Sequence, residues 1–455
     1  MTRGWAVLAM LSPRHLLGVW EPMRTSFWLV PALMAAGAAA LSSGTVTLDR
    51  ALGPEALRVQ GWVWSGGADG ARSVLSTIAG SMATVAGVVF SVNIVALTLA
   101  SSQFGPRLLR NFTRDLGNQL VLGTFISTFL YCLLVLRVVR NTDEGSFVPE
   151  LSVTCAVLLA VASIGVLIYF IGHVANAIQA ESLIAVVGQE LRDQIVAQYA
   201  DRSVSDTGCQ SPELPKGLPQ TVRATTGGYV QGVAHDVLVA AAADVGAVLR
   251  VSCRPGDFVQ MHGLLALVHG ALAPLDEDTA ARIRTAFTLG RRRTPTQDMR
   301  YGARQLTEIA VRALSPGIND PATAMGCLDW LGNALAEMAR RTPAAAERHE
   351  GGQLRMLALP VTFAELADLA FTPIRKYGAG NPSVALHLIR TLARIGEDAS
   401  APDRAALLEL AEQAGVDAVR ENANEQDHAR VMDALATLRA AFSRPHQGPE
   451  WESMC

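Results

Sequence analysis

Hydroxylated side chains recur from Ser73 to Ser102 at alternating steps of four and three residues, the spacing of one helix face. The positions are Ser73, Thr77, Ser81, Thr84, Val88, Ser91, Val95, Thr98 and Ser102, and seven of these nine carry a hydroxyl. Hydroxyl oxygens can replace part of an ion's hydration shell, and Val88 and Val95 on the same face can form dewetting constrictions. Beside the stripe lie Gly80, Ala83, Gly87 and Ser91, small residues that let another helix approach closely. Leu75, Ile78, Met82, Val85, Val89, Val92 and Leu99 form an opposite face suited to lipid or to an apolar helix. No ionisable residue stands between Arg72 and Arg107, a run longer than the roughly 20 residues that cross a bilayer core. Two uses of the stripe stay open. Ser and Thr bond back to their own helix and small residues pack helices together, or the stripe lines an aqueous path. A 3.5-residue repeat does not decide, because it also describes a left-handed helix seam. Asn93 lies off the stripe and is expected to bond to another helix.

Two further groups of residues could hold an anion. Gly105-Pro106 stops the helix, and Arg107, Arg110 and Arg114 follow. They are either ordinary positive-inside anchors or the cytoplasmic mouth of an assembly, attracting ions or small anions. The segment RRRTPTQDMRYGARQLTEIAVRALSPGINDPATA gathers Arg291, Arg292, Arg293, Asp298, Arg304, Arg312, Asn319 and Asp320. It could bind an anionic ligand, form a subunit interface through Arg–Asp pairs, or brace the loop between two helices. No P-loop, GxSxG, HExxH or strand-following GxGxxG occurs, so no catalytic residue, metal site or cofactor is assigned and an enzyme is not expected. His235, His262 and His269 have no metal-ligand spacing. His173 could sense protonation near neutral pH, but a hydrogen-bonded boundary histidine is the simpler reading.

These residues need a membrane scaffold. Half of the 455 residues are hydrophobic and 17% are charged, and mean hydropathy is +0.26. A soluble domain carries nearer 25% charge. The formal net charge of −3 argues against a nucleic-acid partner. Six cysteines are scattered without a CxxC pair, which points to unpaired thiols. Four apolar segments are expected to span the bilayer: about Phe27–Leu41, the hydroxyl helix, Leu120–Val139 and Leu151–Ile171. The 26 residues before the first are long for a signal-peptide n-region, which favours a retained anchor despite Ala38-Ala39-Ala40. Arg3, Arg14 and Arg24 precede the first span, and Arg107, Arg110 and Arg114 follow the second. They place both termini on the cytoplasmic side of a bacterial inner membrane. Arg50, Arg58 and Arg72 fall in the first external loop among Asp49, Glu55 and Asp69, with Trp62 and Trp64. Arg137 and Arg140 count against the scheme, although acidic residues follow them.

The domain plan is a cytoplasmic N-terminal segment (1–25), a four-helix transmembrane domain (26–181), a connecting helix and linker (182–220), a small β-rich unit (221–270), a helical domain (271–442) and a polar tail expected to be disordered (443–455). The fourth span is expected to continue as one helix past His173, Asn176, Gln179 and Glu181. Strands are expected at Tyr229–Val233, Ala247–Ser252, Phe258–Gln260 and Leu264–Val268, with a short helix at Asp236–Ala243. Pro255-Gly256-Asp257 marks a turn. Beyond Asp276 helices are expected at 276–289, 298–314, 322–340, 363–377, 382–395, 403–414 and 425–441. Asp320 and Pro321 are suited to opening the third of these. The fold class is thus an α-helical integral membrane protein with four transmembrane helices and an α+β cytoplasmic domain.

LSTIAGSMATVAGVVFSVNIVALTLASSQFGPRLLRNFTRDLGNQLVLGTF and QLTEIAVRALSPGINDPATAMGCLDWL resemble the bacterial predicted-membrane-protein family called domain of unknown function 2254. The similarity covers about Ser26 to Ala441 and departs at Gly172-His173, where the family has a histidine pair. The resemblance implies an inner-membrane location and the same domain plan, with no assigned activity. From the residues, the expected function is a homo-oligomeric channel or pore for ions or small solutes, lined by the second helix. The alternative is a membrane-anchored sensor or scaffold whose cytoplasmic domain binds a ligand or protein.

Overall fold

The computed structural model describes residues 28–58, 67–104, 115–142, 145–177, 179–201, 214–271, 273–343 and 346–443. The chain divides into two compact units between Gln179 and Ala180. The N-terminal segment, Trp62, Trp64 and nearly all of the tail lie outside the described residues.

The first unit holds α1 (Leu29–Arg58), α2 (Ala68–Phe104), α3 (Leu116–Leu136) and α4 (Glu150–Ala177). All four are long and apolar enough to cross a membrane, over Leu29–Ala51, Ala68–Leu99, Leu116–Leu136 and Glu150–Ala175. The first span runs well past the expected end at Leu41, because Asp49 and Arg50 do not break it. Asp49 is buried and its carboxylate accepts from Leu151 N at 2.9 Å, Ser152 N at 3.0 Å and Ser152 Oγ at 2.6 Å. The first turn of α4 offers unsatisfied N–H groups and the positive end of its dipole, so a carboxylate from α1 caps it.

α3 packs against α1, α2 and α4. Tyr131, Cys132 and Val135 are fully buried among Leu75, Ala79, Val153 and Ala156. Phe125 sits deeper among Met82, Val89 and Phe170. The Tyr131 hydroxyl is 3.0 Å from Thr45 Oγ1 and donates to Ser152 O at 3.1 Å, which satisfies the polar groups of this interior. Gly123 lies against Met34 Sδ, with Pro31 Cα 3.3 Å from where its Cβ would stand, so α1 crosses α3 at close range. β1 (Arg140–Thr142) pairs antiparallel with β2 (Gly145–Phe147) between α3 and α4.

The second unit starts with α5 (Ala180–Gln198) and β3 (Tyr199–Asp201), followed by β4 (Gln220–Arg223), β5 (Gly228–Val233), α6 (His235–Asp244), β6 (Val248–Val251), β7 (Phe258–Val259) and β8 (Leu264–His269). Next come α7 (Glu277–Thr285), β9 (Phe287–Gly290), α8 (Met299–Ala313), α9 (Pro321–Ala339), β10 (Arg341–Pro343), β11 (Glu347–Glu350) and β12 (Gln353–Leu357). α10 (Phe363–Gly378), α11 (Pro382–Gly396), α12 (Ala401–Glu421) and α13 (Glu425–Phe442) complete it.

The expected single helix leaving the fourth span is two helices, α4 ending at Ala177 and α5 starting at Ala180. α5 buries Leu183, Ile184, Val187, Leu191 and Ile195 and packs on α8 and α9. A Cβ on Gly188 would fall 2.5 Å from the Trp330 ring. α5 is therefore a core helix of the second unit, not a free connector.

The expected strands and short helix are present, but the sheets draw on residues beyond 221–270. One sheet has the order β11-β12-β6-β8-β4, with β12 parallel to β6, and the other is β7-β5-β9. Val230, Leu238, Leu249, Leu265, Ile283 and Met356 fill the core between them and α6 and α7. The helix expected to run from Asp276 to Leu289 stops at Thr285. Asp276 caps α7, accepting from Thr279 N at 2.9 Å, and Phe287–Gly290 then pairs with β5 instead of continuing the helix. Asp320 accepts from Thr323 N at 3.1 Å and Thr323 Oγ1 at 2.6 Å, with Pro321 in the first turn of α9.

Candidate functional site

α2 presents two unlike faces. Leu75, Met82 and Val89 are buried against α3 and α4, while Thr77, Ser81, Thr84, Val88, Ser91, Val95 and Thr98 all point outward. Val88 and Val95 are 57% and 55% exposed. No described residue comes within 4 Å of where a Cβ on Gly80 or Gly87 would stand, so the small-residue edge is uncovered among the described residues. The threonine hydroxyls are turned back on the helix: Thr77 donates to Ser73 O at 2.7 Å, Thr84 to Gly80 O at 3.0 Å and Thr98 to Ile94 O at 2.8 Å. Their hydrogens are thereby engaged, and their oxygen lone pairs remain available to whatever lies beyond. Ser102 falls in the last turn of α2, with its side chain outside the described residues, as are Arg107, Arg110 and Arg114.

α4 also has an outward face, of different chemistry. Leu158, Val161, Ile164, Ile168 and Ile171 are 57–69% exposed, with Gly165, Tyr169 and Gly172 exposed among them. Asn93 does not make the expected bond: its Nδ2 is buried with no hydrogen-bond partner among the described residues. His173 lies 2.5 Å from Asp115 Oδ2 and stacks on Tyr169, while Asp115 also caps α3 through Gly117 N at 2.9 Å. That is the hydrogen-bonded boundary histidine.

In the second unit the Arg291–Asp320 segment does not form one site. Arg291 and Arg292 are exposed in the turn after β9. Arg293 and Asp298 come together, with Arg293 Nε 3.4 Å from Asp298 Oδ2 and its guanidinium 5.9 Å from the Tyr229 ring centre. Arg304 sits one turn into α8 and its charge acts on Asp298. Arg312, Asn319 and Asp320 lie at the far end of α8, about 20 Å along a helix rising 1.5 Å per residue. Asn319 takes a positive φ of 50° in the turn, and Arg312 O accepts from Ser315 Oγ at 2.7 Å, so this end is helix-terminus bracing.

The centre is Asp298, whose side chain is 1% exposed. Arg300 Nε stands 3.7 Å away, and neither carboxylate oxygen has a hydrogen-bond partner among the described residues. Burial raises its carboxyl above the ordinary value, against the lowering effect of Arg293, Arg300 and Arg304. Of the four partners around it, Asp257 belongs to the Pro255-Gly256-Asp257 turn marked in the sequence, and Arg254, Arg300 and Glu365 carry no sequence motif. Arg300 Nη2 binds Asp257 Oδ1 at 2.7 Å and Pro255 O at 2.9 Å. Arg254 grips Glu365 through both terminal nitrogens, at 2.9 and 2.8 Å. Burial acts to raise Asp257, yet the Arg254 amide and the Arg300 guanidinium outweigh it and hold the carboxyl below its usual range.

Beside the network lies a cavity of about 570 Å³ formed by the end of α5, β3, the β6 edge, the start of α8 and the strap 358–361. Tyr199 donates to Val361 O across it. His235 and Arg348 border it, and burial, followed by the Arg348 charge, lowers the His235 pKa.

Comparison with known proteins agrees with the membrane architecture and adds no activity. Uncharacterized proteins of Mycobacterium tuberculosis and Mycobacterium bovis are 34% identical to the chain over 382 residues, covering 82% of this chain and 73% of theirs. No solved structure matches. The family model described as predicted membrane protein, domain of unknown function 2254, matches residues 24–394, and the chain belongs to that family.

Proposed function

We propose that copies of this chain assemble in the bacterial inner membrane into a channel or pore for ions or small solutes. The face of α2 carrying Thr77, Ser81, Thr84, Val88, Ser91, Val95, Thr98 and Ser102 lines the path. The observation that carries the reading is the contrast between the two outward faces of the first unit. The α4 face is mainly aliphatic, as lipid requires, whereas the α2 face carries hydroxyls from Thr77 to Thr98, interrupted by Val88 and Val95 and flanked by exposed Phe90 and Ile94. Four helices are too few to enclose a pore, so each subunit contributes one α2 helix around an axis. Both termini then lie in the cytoplasm, and the second unit sets the symmetry or gates the path.

Threonine hydroxyls whose hydrogens bond the helix offer oxygen lone pairs, which favours cations over anions in the path. Val88 and Val95 form its dry constrictions. The test is reconstitution of the purified protein into liposomes with gradients of K⁺, Na⁺ and Cl⁻. Cation flux is expected, Val88→Ser raises it severalfold, and Ile164→Ser on the α4 face leaves it unchanged. A tight membrane under every gradient, or equal effects of the two substitutions, overturns the pore. The tight membrane would leave the membrane-anchored sensor as the better account.

A further inference from the structure

We infer that the cavity between α5, β6 and the strap 358–361 is a binding site for a small organic anion with an apolar body. About 570 Å³ is the size of a small-molecule site. Its walls divide by chemistry. Val233, Val251, Cys253, Met299, Leu359 and Val361 give an apolar side. The Cys253 thiol is pushed up to about 12 by burial, so it stays protonated and acts as wall rather than nucleophile.

The polar side holds two carboxylates, Asp193, which accepts from Gln189 at 2.9 Å, and Asp298, which lies beside Arg293 and Arg300, together with one cation that has no ion pair among the described residues. Of the two arginines that border the cavity, Arg254 has both terminal nitrogens engaged, by Glu365 and by Pro360 O at 2.9 Å, although its Nε has no hydrogen-bond partner among the described residues. Arg348 has no ion pair among the described residues, and its Nε is buried without a hydrogen-bond partner. A guanidinium left this way is a ready partner for a carboxylate or phosphate. His235, held neutral beside it, adds one ring N–H donor. Gln194 supplies the opposite complement. Its Nε2 donates to Pro295 O at 2.7 Å, while its buried Oε1 has no hydrogen-bond partner among the described residues at the cavity border. The ligand therefore carries its negative charge at Arg348 and His235, an apolar or aromatic body along the Val251–Met299 wall, and a hydrogen-bond donor toward Gln194. Binding here does not depend on conduction, and its readout is separate from flux.

Calorimetric titration of the full-length protein in detergent micelles tests this, with empty micelles as the blank and 4-phenylbutyrate as the probe. Phenyl phosphate and the neutral 4-phenylbutyramide are the comparisons. One saturable site per chain is expected for the acid or the phosphate, with the amide at least tenfold weaker. Arg348→Gln removes that tenfold preference and leaves amide binding unchanged, while Arg348→Lys restores most of it. Thermal melting of each variant establishes that it is folded. Absence of saturable binding by both anions, equal binding of acid and amide, or an Arg348→Gln protein that keeps the preference overturns the site.

Discussion

Replacing Gly256 with alanine strikes the centre of the charged network, and its cost follows from two separate terms. The backbone there has φ of 90°, a conformation that costs an L residue roughly 1–2 kcal/mol. A methyl group would also collide with Asp298 Oδ2 and approach Arg293 Nη2 to 2.7 Å. Neither group can swing into solvent, since the two side chains are 1% and 15% exposed. Moving the carboxylate out of reach of Arg293 and Arg300 amounts to breaking a buried pair, roughly 3–5 kcal/mol. The sum, about 4–7 kcal/mol, is comparable with the whole stability of many domains. Asp298→Ala destabilises by itself, but it also vacates the space the methyl needs. In the double variant Gly256→Ala then adds only the backbone term, so the two changes are coupled by roughly 3–5 kcal/mol. Chemical denaturation of the purified protein, followed by far-ultraviolet circular dichroism for the four combinations, measures this. A Gly256→Ala protein with the wild-type midpoint, or strictly additive effects, refutes the packing described around Asp298.

Two further substitutions probe the described contacts. Asp49→Ala leaves Leu151 N, Ser152 N and Ser152 Oγ without an acceptor at the start of α4, and a loss of about 2–3 kcal/mol is expected as a lowered melting temperature in detergent. Asp49→Asn, which keeps an acceptor oxygen, restores part of it. His235 has a folded pKa below the unfolded value of 6.5, so the unfolded chain binds the proton more readily. Its contribution is complete above pH 6.5 and is lost as pH falls through that value toward the folded pKa. His235→Asn should flatten the pH dependence of melting between pH 7 and 5, and an unchanged profile would remove His235 from the account.

The spans were legible because bilayer length and the absence of charge are local properties. Asp49 shows the limit of that rule. It reads as the end of a span, yet it caps a helix about a hundred residues away, and no local pattern reports a partner at that distance. Of the apolar face expected by period, Leu75, Met82 and Val89 form the packed side of α2 with Ile78 and Val85 partly buried beside them, whereas Val92 and Leu99 are exposed. The sheet was legible only in part, since β12 joins β6 in parallel from a stretch whose neighbours are helices. A parallel partner needs a crossover, so its membership is a tertiary fact. The Arg–Asp cluster was read from sequence proximity, which joined both ends of α8 into one segment. Helix geometry separates them, and Asp298 is completed by Arg300 and by a turn whose Arg254 reaches Glu365, 111 residues away.

The two outward faces of the first unit explain why the hydroxyl stripe could be found but not interpreted from the sequence. Periodicity says which residues share a face; it says nothing of whether the chain covers that face itself. Had Thr77, Thr84 and Thr98 met α3, their hydroxyls would be packing groups and the stripe would need no partner. Instead α3 takes the opposite side of α2, with Tyr131 and Phe125 filling the space beside Leu75 and Met82. In lipid alone, nothing selects hydroxyls over leucine at exposed positions, and α4, which also exposes Gly165 and Gly172, places mainly aliphatic side chains there. On the proposed reading, a second copy of the chain meets this face of α2. A close-packed copy would bury Val88 and Val95 in contact, and Val88→Ser would then weaken assembly. Around a water-filled axis the same change widens the wetted path, so the sign of its effect on flux separates the two.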